Sequence, residues 1–202
     1  MVGPVLQAPG QVMDRRAVVA ALLADRGEML VVSGLGSPTY DVHAAGDHEA
    51  NYYLWGAMGS AALMGLGLAQ AQPERSVLVI TGDGEQLMGL GGLATIAVAK
   101  PSNLTIAVLD NGHYGETGMQ ISHTGAGLDL AAMAEVCGFT QTGVLRDLDA
   151  VTSLGQRLKR PANGPALYVL KIKAENPPRS LPARDAVFLK NRFRAHLGLP
   201  VS

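Results

Sequence analysis

Two short polar turns follow apolar runs of similar make-up. Gly82-Asp83-Gly84 comes after SVLVIT (Ser76–Thr81), and Asp110-Asn111-Gly112 comes after LTIAVL (Leu104–Leu109). An aspartate carboxylate and an asparagine amide are hard oxygen donors. With a backbone carbonyl and phosphate oxygens they make a suitable Mg²⁺ site. Glycines beside Asp83 let the backbone approach a phosphate, and the start of a following helix favours its charge. Either turn alone is also what ordinary strand-to-helix connections look like. The pair, on two consecutive strands, points to a metal-bridged phosphate.

Such turns need a parallel sheet beneath them, because ligands gather at the carboxyl ends of its strands. The apolar patterning predicts one. Asp14–Asp25 has the spacing of an amphipathic helix, with Asp14 as N-cap. Met29–Ser33 reads as a buried strand, and Gly34–Ala50 as a loop carrying His43 and His48. That histidine pair reads as loop polarity, since no third metal ligand accompanies it. Gly56–Ala71 is uncharged and mostly glycine and alanine. It is too short and glycine-rich for a membrane span, and reads as a buried helix packed so closely that only small side chains fit. Further strands are expected at Ser76–Thr81, Leu104–Leu109 and Ala166–Ile172. Helices are expected at Leu87–Ala99, Asp129–Cys137, Leu148–Leu158 and Arg184–Leu197. Continuously apolar strands alternating with helices predict an α/β fold, a parallel sheet covered by helices on both faces. A single domain across residues 1–202 is expected.

Composition excludes several classes. With 48 % hydrophobic residues the chain is not disordered. A net charge of −1, from 16 basic and 17 acidic residues, argues against nucleic acid as a partner. Cys137 is the one cysteine, so an intrachain disulfide, a zinc ribbon and a four-cysteine iron–sulfur cluster are all out of reach. Met1–Gly10 holds two prolines and no apolar signal segment. The expectation is a cytoplasmic protein with no membrane association. Glycine is abundant, 25 of 202 residues, against a usual ~7 %.

The stretch GDGEQLMGLGGLATIAVAKPSNLTIAVLDNGHYGETGMQ, from Gly82 to Gln120, resembles the diphosphate-binding domain of thiamine diphosphate-dependent decarboxylases. There GDG is followed by a helix, a strand and NN or a close variant. It is most similar to the β subunits, or C-terminal halves, of sulfopyruvate and phosphonopyruvate decarboxylases, and the similarity runs from about Met29 to Gly138. The resemblance implies that Asp83 is a side-chain ligand of Mg²⁺, Asn111 the second and the carbonyl of His113 the third. Gly82, Gly84, Glu85 and Tyr114 would lie against the cofactor, with amides at Gly84 and Glu85 facing its diphosphate. Gly56-Ala57-Met58-Gly59 matches the family's glycine, any residue, bulky apolar residue, glycine. Met58 would then wedge between the two cofactor rings and the Gly56 carbonyl would accept from the aminopyrimidine. That bend brings the reacting atoms together. Two positions depart from the pattern: Glu85 stands where the family has a small residue, and Asp110 replaces the first asparagine.

In these enzymes a glutamate from a pyrimidine-binding domain activates the cofactor. No second strand-and-helix pattern supplies that domain here, and Glu28, Glu49 and Glu135 lack a strand-end context. The resemblance therefore implies a β subunit that completes its active site with a separate α subunit in an α₂β₂-type assembly. The small-residue face of Gly56–Ala71 would suit that interface. Glu116, Thr117, Gln120 and His123 are expected to contact substrate or relay a proton. The implied reaction is decarboxylation of a small 2-oxo acid with a second anionic group, releasing CO₂ and an aldehyde. A carboligase of the acetolactate synthase type would share every feature visible here. A non-catalytic cofactor-binding protein would lack only the glutamate-bearing partner. A ferredoxin-linked oxidoreductase subunit would need cluster cysteines that this chain does not have.

Overall fold

The computed structural model describes residues 12–161 and 163–201, so Met1–Gly10, the stretch without a signal pattern, lies outside the described residues. Arg15–Leu23 is helical (α1), and the Asp14 carboxylate accepts from the Ala17 amide as expected of an N-cap. The chain then runs through strand β1 (Leu30–Ser33), helix α2 (Ser37–Ala44), β2 (Asn51–Tyr53), α3 (Ala61–Ala71) and β3 (Val77–Gly82). Helices α4 (Asp83–Met88) and α5 (Gly92–Ala99) lead to β4 (Leu104–Asp110). A small hairpin follows, β5 (His113–Tyr114) and β6 (Gln120–Ile121), with one 3₁₀ turn, Gly115–Thr117, between its strands. The rest is α6 (Leu130–Cys137), β7 (Gln141–Leu145), α7 (Leu148–Arg157), β8 (Ala166–Lys171) and α8 (Ala186–His196).

Six strands form one parallel sheet in the order β2-β1-β3-β4-β8-β7. Helices cover both faces, which is why β1, β3, β4 and β8 read as unbroken apolar runs. Leu30, Val32, Val79 and Ile106 pack with α3, α5 and α6 on one face. Val31, Leu78, Ile80 and Leu109 pack with α1 and α7 on the other. Among the described residues no helix is long and apolar enough to cross a membrane.

The elements differ from expectation where local signals are weak. Gly34–Ala50 is not a plain loop: it holds α2, opened by a proline in its first turn, where the missing N–H removes no helical bond. Gly56–Ala71 becomes helical only at Ala61. Gly56, Ala57 and Gly59 have φ of 103°, 53° and 92°, a left-handed turn that no helix can include. Leu87–Ala99 divides into α4 and α5, because the chain at Gly89 presses on the Gly59 backbone. A Cβ at Gly89 would stand 2.0 Å from the Gly59 carbonyl oxygen. Most of the small residues of α3 are turned inward. Ala61, Ala62, Gly65 and Ala69 face the sheet, while Leu63 and Met64 point outward.

Candidate active site

The register of the sheet joins the two turns. Gly82 pairs with Leu109, so Asp83 and Asp110 emerge side by side at the carboxyl ends of β3 and β4. Both are buried. Asp83 Oδ2 accepts from the hydroxyls of Ser122 and, at 2.8 Å, Thr124. The Thr124 hydroxyl also stands 2.8 Å from Asp110 Oδ1. One hydroxyl has one proton and cannot donate to both carboxylates at once. Lys171, at the end of β8, pairs with Asp110 Oδ2, and among the described residues no cation pairs with Asp83. Burial pushes the Asp83 carboxyl up and the Asp110 charge adds to it, against the donated hydrogen bonds.

Above this pair opens a cleft of about 120 Å³. Met58, Gly82, Asp83, Gly84, Glu85, Asn111, His113, Tyr114, Glu116 and Thr117 line it, all of them anticipated from sequence. Gly56 lies outside the lining, in the turn that carries Met58 to the rim. The Tyr114 ring covers Gly84, where a Cβ would come within 2.6 Å of it. At Gly82 a Cβ would meet nothing nearer than Pro38 Cγ at 3.9 Å, so the backbone there is open to a ligand. Gln120 and His123 stand back from the cleft. Gln120 bonds to Thr117, and His123 Nδ1 lies 3.2 Å from the Tyr114 hydroxyl.

The Glu85 carboxylate is turned into the scaffold. Its Oε2 accepts from Thr81 Oγ1 at 3.0 Å and fills the space a Gly34 side chain would need. Burial pushes this carboxyl up, while Thr81 and the nearby amides of Leu35, Gly59 and Ala61 pull it back. A carboxylate at this departure from the family pattern therefore ties loops together. Glu116 is also held: Ser37 Oγ donates to its Oε1 at 3.3 Å and Arg179 Nη2 to its Oε2 at 2.8 Å. Ser37, Ser122, Thr124, Lys171, Arg179 and Arg15 join the site without having been expected from sequence. Only the Ser122-x-Thr124 spacing at the close of the hairpin is a usable signal.

The donor set fits Mg²⁺. A buried carboxylate short of positive charge, an asparagine side chain and a peptide carbonyl are the oxygen ligands that this ion takes. His43 and His48 offer nothing comparable: His43 Nδ1 lies 2.8 Å from Ser180 Oγ, and His48 Nδ1 accepts from the Ala50 amide. Among the described residues, no three His, Cys, Asp or Glu side chains cluster to hold a metal.

A parallel α/β domain with a cleft at its strand ends is an architecture that many ligand-binding proteins share, and the relatives say which kind this is. Residues 35–170 match the family model of the thiamine pyrophosphate enzymes' C-terminal TPP binding domain, and the chain belongs to that family. Within it, the chain falls with decarboxylases. It is 34 % identical over 181 residues to sulfopyruvate decarboxylase subunit beta of Methanothermobacter thermautotrophicus, covering 90 % of this chain and 94 % of the relative. It is 37 % identical to phosphonopyruvate decarboxylase of Streptomyces viridochromogenes over 95 % of this chain, yet spans only 49 % of that protein. The fold also matches the thiamine diphosphate-dependent 4-hydroxybenzoylformate decarboxylase of Rhodococcus jostii RHA1, with a TM-score of 0.67 at 20 % identity. That match covers 86 % of this chain and 36 % of the other.

Proposed function

We propose that this chain is the diphosphate-binding β subunit of a thiamine diphosphate- and Mg²⁺-dependent decarboxylase of a small 2-oxo acid, completed by a separate α subunit. The observation that carries the reading is the cleft lined by both Asp83 and Asn111 beside the open backbone of Gly82, with Met58 among its walls. Asp83, Asn111 and the His113 carbonyl would hold Mg²⁺. Gly82, Gly84 and the amide of Glu85 would receive the diphosphate, and Gly56 and Met58 the pyrimidine and the bend. When bound, the cofactor supplies an electron sink that lets the carboxylate carbon depart as CO₂. The chain's own residues do the rest. Glu116 and Thr117 face the cleft as substrate contacts. The Tyr114 hydroxyl and His123 Nδ1 form a pair able to hold a proton at its edge. Gln120 braces Thr117.

The α subunit is expected on the outward face of α3 and α4. Leu63, Met64 and Met88 are 41, 37 and 63 % exposed there, next to Met58 at 41 %. Exposed apolar side chains gathered beside a cleft suit a protein interface. Two relatives named as β subunits match this chain over most of their length, which supports a partner.

Co-expression with an α-type chain, followed by assay of CO₂ and aldehyde release from sulfopyruvate and phosphonopyruvate, tests the proposal. Turnover of either, dependent on both chains, is expected. Cofactor uptake without turnover in the assembled pair contradicts it, as does an acyloin product, which marks a carboligase.

A further inference from the structure

Arg15 opens α1 at the wall of the cleft that holds Asp83, Asn111 and Ser37, and it is only 5 % exposed. Its Nε donates to Asp41 Oδ2 at 2.6 Å, while Arg16 Nε donates to Asp41 Oδ1, also at 2.6 Å. Asp41, on α2, is 1 % exposed. Two guanidiniums thus share one carboxylate, and positive charge is left over. Arg15 Nη1 reaches only the Glu175 carbonyl, at 3.5 Å, and among the described residues Nη2 has no hydrogen-bond partner. The other cations near the cleft are balanced one to one, Lys171 with Asp110 and Arg179 with Glu116. A buried cation in excess of its anions is unfavourable unless a ligand completes the balance. A diphosphate carries more negative charge than one divalent metal removes, and Asp83 adds to the deficit.

We propose that Arg15 is a diphosphate-binding residue, its guanidinium anchored on Asp41 beside Arg16 and supplying the positive charge that the metal leaves unmet. This rests on the cofactor assignment above and adds a contact from α1, outside residues 35–170. A planar guanidinium fixed along one edge by a carboxylate keeps another edge for phosphate oxygens.

Calorimetric titration of the full chain, with its α subunit where the two co-purify, tests this in Mg²⁺ buffer with thiamine diphosphate and thiamine monophosphate. Arg15→Gln should weaken diphosphate binding at least tenfold and monophosphate binding much less. Asp41→Asn loosens the carboxylate grip that fixes the Arg15 guanidinium, so it should weaken diphosphate binding and leave monophosphate binding much less affected. A purely structural role predicts that both substitutions weaken both ligands alike, and that result overturns the inference. Wild-type affinity in Arg15→Gln overturns it too. Should Arg15→Gln not fold, Arg15→Lys replaces it: retained charge should preserve most of the diphosphate preference, and its complete loss contradicts the inference. Failure of the wild-type protein to bind thiamine diphosphate strikes instead at the cofactor assignment.

Discussion

Asp83 is the residue on which the site turns, and it is set deeper than a strand-end aspartate suggests. Ser122 and Thr124 hold one of its oxygens from the far end of the β5–β6 hairpin, and Asp110 with Lys171 stands behind. The motif alone makes Asp83 and Asn111 legible. Lys171 and Arg15 are not legible in the sequence, because they reach the site only through the tertiary packing of β8 and α1. Glu85 shows the opposite failure: its position stands out in the motif, but its role depends on Gly34 and Thr81, which no spacing rule connects to it. Met58 does reach the cleft rim as its motif implies, though its turn is not helix. At 41 % exposure it contributes little to folding. Met58→Ala should change stability by less than about 0.5 kcal/mol. Cofactor affinity should persist while turnover falls at least tenfold, a split that binding and kcat measurements on the assembled enzyme would expose.

At the scale of elements, the central strands and most helices follow from apolar period alone. Those that do not are short or peripheral: β2 has three residues, β5 and β6 have two each, and β7 is an edge strand of half-buried residues interrupted by Gly143. Such elements exist because neighbours pair with them, so no local pattern announces them. Helix α3 offers a direct contrast. A Cβ at Gly65 would stand 2.3 Å from Val79 Cγ2, whereas one at Gly67 would meet nothing within 4 Å. Gly65→Ala should therefore cost about 1–3 kcal/mol through overpacking. Gly67→Ala should gain up to ~1 kcal/mol from helix propensity. Urea unfolding of the two variants checks both signs.

The seating of α8 on β2 depends on pH in a predictable sense. Burial alone would push the Asp47 carboxyl up, but Arg192 and the Tyr53 hydroxyl donate to it and hold it below the usual range. A depressed carboxylate stabilises the fold above its unfolded pKa and loses that contribution as pH falls through its folded one. Asp47→Asn should lower the melting temperature at pH 7. The difference from wild type should shrink towards zero as pH drops below the ordinary carboxylate range.

The whole molecule exposes apolar side chains beside its cleft. The sequence pattern already implies a missing partner. Glycine and alanine suit close packing of any kind, and the structure shows most of those in α3 turned to the sheet of the same chain. The outward residues are the better test. Leu63→Glu with Met64→Glu should leave the melting temperature of the isolated chain within about 2 °C, since exposed substitutions rarely matter. Size-exclusion chromatography should show that the same pair abolishes co-elution with the α subunit.

Everything proposed for the molecule depends on Mg²⁺ and diphosphate meeting at Asp83. Asp83→Asn keeps the side chain's shape and its place between Ser122 and Thr124 while removing the charge. Calorimetric titration with thiamine diphosphate, with Mg²⁺ and with EDTA, compares it with wild type. The expected result is metal-dependent binding by the wild-type protein, weakened at least 100-fold in Asp83→Asn with the melting curve still cooperative. Equal affinity in the two proteins, or wild-type binding indifferent to EDTA, would contradict it.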